Sequence, residues 1–122
     1  MIVILAGAIS LWWLNHALIS IDFTPMPFES EVWKSLLSPD TWDSPRLRMV
    51  DDLLAKNVLS GADQAAVAAL LGPADDTNYF KADNRWVYLL GRERSSMAID
   101  CEWLLIDFGQ DGRVATARLA RD

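Results

Sequence analysis

The chain has 122 residues, a net charge of −6 at pH 7 and 52% hydrophobic residues. This length predicts one domain with a short appendage, and we expect no second, catalytic domain. The negative charge argues against nucleic acid as a partner, because contacts to phosphates need a surplus of lysine and arginine on one face. The acidity is concentrated early in the chain: residues 1–80 hold ten acidic and four basic residues, whereas residues 81–122 hold seven of each.

Residues 1–21 carry no charged side chain. About 20 apolar residues span a bilayer, so the segment 1–23 is predicted to be a membrane anchor or an export segment. A truncated signal peptide and a core helix carrying Trp12 and Trp13 are the alternatives, because the basic start and cleavage site of a signal peptide are missing. No lysine or arginine follows before Lys34. We expect an inner-membrane anchor with the domain facing the periplasm, or export; a cytoplasmic position is the alternative.

Residues 24–43 are predicted to link this segment to the domain. Pro25 and Pro27 prevent a helix from continuing across them. Apolar residues then recur at helical spacing and predict a short amphipathic helix that ends before Pro39. These apolar residues are Phe28, Val32, Trp33, Leu36 and Leu37. Such a helix could lie on a membrane, dock on the domain or meet a partner.

Residues 44–122 are predicted to form the domain, which opens with two helices. Ser44 is a suitable N-cap, and the proline after it suits the first helical position. Ser60 is predicted to begin the second helix, because Asp63 three residues later completes a capping pattern. Gly72 supplies the left-handed cap that ends this helix.

Three strands are predicted after the helices. Residues 85–90, 97–108 and 114–119 are predicted strands, whose side chains alternate between the two faces of a sheet, and a hairpin turn is signalled at residues 110–112. The predicted fold class is therefore α+β, with two helices packed on a three-stranded antiparallel meander (ααβββ). The hydrophobic segment and the short amphipathic helix precede it.

The first two strands carry apolar residues on both faces, although two helices can cover only one face. In a lone antiparallel sheet the second face should be largely polar, so the surplus apolar face is a candidate protein-binding surface. The alternative is that the amphipathic helix of the linker covers this face. Aromatic and arginine side chains are common interface anchors. The candidate protein-binding residues are Val87, Leu89, Arg92, Arg94, Trp103 and Leu105.

Three motifs stand out along the predicted domain. They are a helix that ends in Leu70-Leu71-Gly72-Pro73, a strand Trp86-Val87-Tyr88-Leu89-Leu90-Gly91, and an apolar strand Leu104-Leu105-Ile106-Asp107-Phe108 that leads into Asp111-Gly112-Arg113-Val114. Together they resemble the SmpA/BamE-like domain. The resemblance covers roughly residues 46–118. It implies an α+β module that binds proteins at the bacterial cell envelope, where the best-known members are lipoproteins that assist outer-membrane protein assembly. The β-lactamase inhibitory proteins are similarly built and bind an enzyme.

The chain departs from these lipoproteins at the anchor. Leu5-Ala6-Gly7-Ala8 has alanine where a lipoprotein has its lipid-attached cysteine, and Cys101 lies inside a predicted strand. The comparison with the family therefore favours an inner-membrane or secreted role over an outer-membrane lipoprotein. We expect a membrane-tethered accessory or assembly factor that binds another protein, for example in a membrane protein complex, and no nucleic acid. The alternative is a soluble inhibitor or immunity-type domain.

Little in the sequence predicts catalysis. Glycine-rich phosphate loops, Gly-x-Ser-x-Gly, His-Glu-x-x-His and aspartate-rich calcium loops are all missing, and Cys101 with His16 cannot build a usual zinc site. We expect no cofactor, no metal and no enzymatic activity. A carboxylate-dependent hydrolase is a third alternative, because paired carboxylates can cleave glycosides. The candidate pairs are Asp75 with Asp76 and Asp107 with Asp111.

Overall fold

The computed structural model describes residues 24–35, 44–94 and 99–122, so the predicted anchor over residues 1–23 lies outside the described part of the chain. The described part is α+β. The helices are α1 (Ser30–Lys34), α2 (Pro45–Ala55) and α3 (Gln64–Leu71), and the strands are β1 (Arg85–Arg92), β2 (Cys101–Phe108) and β3 (Val114–Arg121).

The three strands form an antiparallel sheet in the order β1-β2-β3. Trp86 pairs with Ile106 and Leu89 with Trp103 across the first ladder, and Leu105 pairs with Arg118 across the second. The register shifts once in each ladder, after Leu89 in β1 and at the start of β3. The predicted meander is confirmed, with β2 in the centre and β1 and β3 at the two edges.

Capping side chains begin α2 and α3. The Ser44 hydroxyl accepts a hydrogen bond from the amide of Arg46, and the Asp63 carboxylate accepts one from the amide of Ala66 at 2.8 Å. Gly72, with φ 76°, ends α3 as predicted. The predicted start of this helix at Ser60 is wrong, because the backbone of residues 61 and 62 bonds to Val114 in β3 and cannot enter the helix.

The main core lies between the helices and the inner face of the sheet. Leu47, Val50 and Leu53 from α2 pack there against Tyr88 and Leu104 of the sheet. The hydroxyl of Tyr88 donates a hydrogen bond to the carbonyl of Gly72 at 2.9 Å and so ties the end of α3 to β1. The helices therefore pack on the inner face of the sheet, as the predicted fold requires.

The short helix α1 belongs to this core. Trp33 is fully buried, the Phe28 ring meets it edge-on at 5.9 Å, and the guanidinium of Arg46 lies 5.1 Å from its ring centre. The amphipathic helix thus docks against α2 and α3, and it does not cover the outer face of the sheet. The predicted continuation of this helix to residue 37 lies outside the described residues. The folded unit includes residues 24–35 as well as the predicted domain.

Candidate functional site

The outer face of the sheet carries four of the residues predicted to bind a partner. Val87, Leu89, Trp103 and Leu105 lie together there, as their alternation predicts, but Trp103 is only 5% exposed and Leu105 is fully buried. The prediction that these side chains form an exposed surface is therefore wrong for Val87, Trp103 and Leu105.

The loop between α3 and β1 supplies the cover. The Tyr79 ring stacks on Trp103 with the ring centres 5.3 Å apart, and the Phe80 ring meets Trp103 edge-on at 6.3 Å. Tyr79 itself is 56% exposed. These adjacent aromatics were visible in the sequence, but they follow no periodic pattern that would direct them onto the sheet. A partner would have to displace both rings to reach Trp103.

The two arginines of the predicted site do not join this cluster. The guanidinium of Arg94 is held on the helix side of the sheet, where it donates hydrogen bonds to the carboxylates of Glu102 and Asp51 and to the carbonyl of Leu47. Glu102 is 2% exposed, so this ion pair is largely shielded from water. The prediction that Arg94 is available to a partner is wrong; it fastens the segment after β1 to α2. Arg92 is half-buried at the end of β1.

Three of the four carboxylates that suggested hydrolysis have separate structural partners, and the fourth, Asp76, is exposed in the loop before β1. Asp107 receives two hydrogen bonds from Arg85 and one from Thr116, and the bonds from Arg85 lower the pKa of Asp107. Asp111 accepts a hydrogen bond from the amide of Arg113 in the hairpin turn. Asp75 is bound to β1. Within residues 24–35, 44–94 and 99–122, no cluster of three or more histidine, cysteine, aspartate or glutamate side chains could hold a metal ion.

Asp75 closes the outer edge of β1. Its amide donates a hydrogen bond to the carbonyl of Val87 at 2.9 Å, and its carboxylate accepts one from the amide of Leu89 at 2.6 Å. Arg46 reaches the same edge from α2 and donates to the carbonyl of Leu89 at 3.3 Å. The carbonyl of Val87 and both backbone groups of Leu89, which β1 would offer to another strand, are thereby already used.

The edge of β3 is different. The backbone N–H and C=O groups of successive residues in a strand point alternately to its two sides. Because Asp75 bonds to Val87 and Leu89, these two residues direct their backbone groups away from β2. The register then directs the amides of residues 116, 118 and 120 in β3 toward β2, and those of residues 117, 119 and 121 away from the sheet. Among the described residues, only Val114 on this edge is capped by other backbone, through Gly61 and Ala62.

A groove runs beside this open edge, between β3 and the end of α2. Its volume is about 150 Å³. The residues that line it are Leu53, Leu54, Asn57, Leu59, Ser60, Val114, Ala115, Thr116 and Ala117. The groove is thus lined by both apolar and polar residues, and the β3 residues that line it have small side chains.

The charge of β3 is opposite to that of the whole chain. Residues 113–121 contain three arginines and no acidic residue, although the net charge of the chain is −6. Arg118 is exposed on the outer face, and among the described residues it makes no hydrogen bond or ion pair. The two carboxylate contacts of Arg121, to Glu93 and Glu102, are both long at 3.9 Å. The candidate site is therefore an open, basic strand edge with a groove beside it.

Comparison with known proteins does not assign the chain to a family. No protein-family model matches the chain, and searches of curated proteins and of solved structures give no significant match. The resemblance to the SmpA/BamE-like domain stays a prediction. In the described residues no helix is long and apolar enough to cross a membrane.

Proposed function

We propose that the chain is a non-catalytic protein-binding module of the bacterial cell envelope, tethered to the inner membrane through residues 1–21, and that its partner docks at the edge of β3. The uncharged N-terminal segment and the SmpA/BamE-like motifs favour this setting. The α-helices that precede a three-stranded meander agree with the ααβββ order that those motifs imply. A soluble inhibitor-type domain is the alternative.

The observation that carries the proposal is the difference between the two edges of the sheet. At β1 the Asp75 amide donates to the carbonyl of Val87, and the Asp75 carboxylate and the Arg46 guanidinium bind the amide and the carbonyl of Leu89. At β3 the described residues leave the outward backbone groups of residues 115–121 without such a cap. Proteins usually cover or distort an edge to prevent unwanted pairing, so an edge left accessible beside a groove favours a binding role.

Site-specific photocrosslinking in intact cells tests the proposal. A photoreactive phenylalanine analogue at Ala115, which is exposed on the β3 edge, should yield a defined adduct with another protein. The same analogue at Lys81, which is exposed in the loop before β1, is the matched control and should yield no such adduct. Adducts from position 81 alone, or from neither position, would contradict the proposal.

Cell fractionation addresses the tether. The full chain should stay in the membrane pellet after an alkaline carbonate wash, because a spanning apolar segment resists this treatment. Release into the supernatant would favour the soluble inhibitor-type alternative. Because fractionation is independent of crosslinking, the membrane tether and the docking at β3 can each be contradicted separately.

A further inference from the structure

We infer that β3 binds an acidic, extended segment of the partner protein as a fourth strand of the sheet. This inference rests on the proposed function, because it names the chemistry of the partner at the same edge. The mode is strand addition, in which main-chain hydrogen bonds supply the affinity and side chains at alternate positions supply the specificity.

The backbone of β3 fixes where the added strand lies. The outward amides and carbonyls belong to residues 117, 119 and 121, and at the other end Val114 already bonds to Gly61 and Ala62. An added strand therefore runs along residues 115–121 and stops where the start of α3 closes the edge. About seven residues of an extended chain match this length.

The charge of the β3 edge determines the sign of the partner's charge. Arg118 is exposed on the outer face of β3, and an opposite charge directly across a strand pair stabilises it by roughly 0.2 to 1 kcal/mol. Arg121 lies on the opposite face, where its guanidinium is 3.9 Å from the carboxylates of Glu93 and Glu102. Glutamate or aspartate on the outer face of the added strand would meet Arg118. A second copy of β3 is a poorer occupant, because pairing this strand with itself brings arginine close to arginine and like charges destabilise such pairs.

The groove constrains the residues between the acids. Side chains of an added strand alternate between the two faces of the sheet. Those that point to the inner side enter the space lined by Leu54, Leu59 and Ala117, with Asn57 and Ser60 at its polar part. Its volume of about 150 Å³ accepts small or medium side chains. The recognised segment is thus an alternation of acidic residues with residues such as valine or threonine.

Synthetic peptides test the inference on the full chain in detergent micelles. The probe is the capped heptapeptide Thr-Glu-Val-Glu-Val-Glu-Thr, followed by fluorescence anisotropy and by the exchange of backbone amides. We expect saturable binding that slows exchange at the amides of Ala117, Leu119 and Arg121. Replacing its glutamates by lysines should weaken binding about tenfold, because the charge opposite Arg118 changes from attraction to repulsion. N-methylation of alternate peptide amides should abolish binding, since it removes the main-chain donors.

Protein variants complete the test. R118E should weaken the acidic heptapeptide about tenfold, whereas K81E makes the same charge change in an exposed loop and should leave binding unchanged. Equal binding of the lysine or N-methylated peptide would overturn the inference, as would the absence of binding. Slow exchange of the amides of residues 117, 119 and 121 without peptide would overturn the inference as well. It would mean that a second copy or the chain's own acidic N-terminal residues already cover β3. If Ala115 crosslinks to a protein but the heptapeptide does not bind, the proposed function stands and only the inference of an acidic added strand is contradicted.

Discussion

Charged side chains in this protein are held by specific partners that lie far apart in the sequence. Arg85 and Asp107 face each other across β1 and β2 with Nε and Oδ1 2.7 Å apart, and Arg94 joins the buried Glu102 to α2. Hydrogen bonds to the charged groups lower the pKa of Asp107 and raise that of Arg94, although burial alone lowers the latter. These residues stabilise the fold, which leaves Arg118 as the arginine of the sheet available to a partner.

The Arg85–Asp107 pair predicts a pH dependence of stability. The pKa of Asp107 is lower in the folded than in the unfolded chain, so the pair stabilises the fold at neutral pH and this contribution is lost as the pH falls below about 4. D107N should therefore lower the free energy of unfolding by about 1 kcal/mol or less at pH 7, because the pair is partly exposed. Urea denaturation at pH 7 and pH 3 measures this. A difference between wild type and variant that does not shrink in acid would contradict the role of the charge.

Local sequence signals were sufficient to place some helix ends and turns, and insufficient for others. The caps at Ser44 and Gly72 and the turn at residues 110–112 lie where the sequence predicts them, because each depends on neighbouring residues only. Ser60 and Asp63 are both suitable N-caps, and the choice between them is made by the backbone pairing of residues 61–62 with distant Val114. Local sequence cannot report such a pairing.

Only part of the candidate site could be predicted from the sequence, because contacts between distant residues determine the rest. Alternation placed Val87, Leu89, Trp103 and Leu105 on one face, and the sheet confirms that grouping. Their burial depends on Tyr79 and Phe80, which reach the sheet from an irregular loop. The strand order was predicted, but the difference between the two edges depends on the bonds that Asp75 and Arg46 make to β1, which are not visible in the sequence.

The short helix α1 offers a test at the scale of elements. Because Trp33 is fully buried against Phe28 and Arg46, W33A should lower the free energy of unfolding by about 3 to 5 kcal/mol. W33F should cost less, since the indole Nε1 has no hydrogen-bond partner and its removal leaves nothing unpaired. V58A removes methyl groups at a half-exposed position and is the control, expected to change stability by about 0.5 kcal/mol or less. A W33A variant as stable as V58A would show that α1 is not part of the core.

At the scale of the whole molecule, the described residues cover most of the sheet. Helices cover its inner face, the aromatic loop covers the outer face at Trp103, and Asp75 closes the β1 edge at Val87 and Leu89. The β3 edge combines outward backbone groups, a groove and exposed arginine on an otherwise acidic chain. This coincidence favours a strand edge used for binding.

The most direct test compares the backbone amides of two leucines by hydrogen exchange in the full chain. Leu89 and Leu119 both direct their amides away from the sheet, one on each edge strand. The amide of Leu89 is bound to the Asp75 carboxylate and should exchange slowly, whereas that of Leu119 should exchange rapidly because the edge of β3 is open. Slow exchange at Leu119 in the free chain, comparable to that at Leu89, would mean that β3 is already covered and would contradict the account.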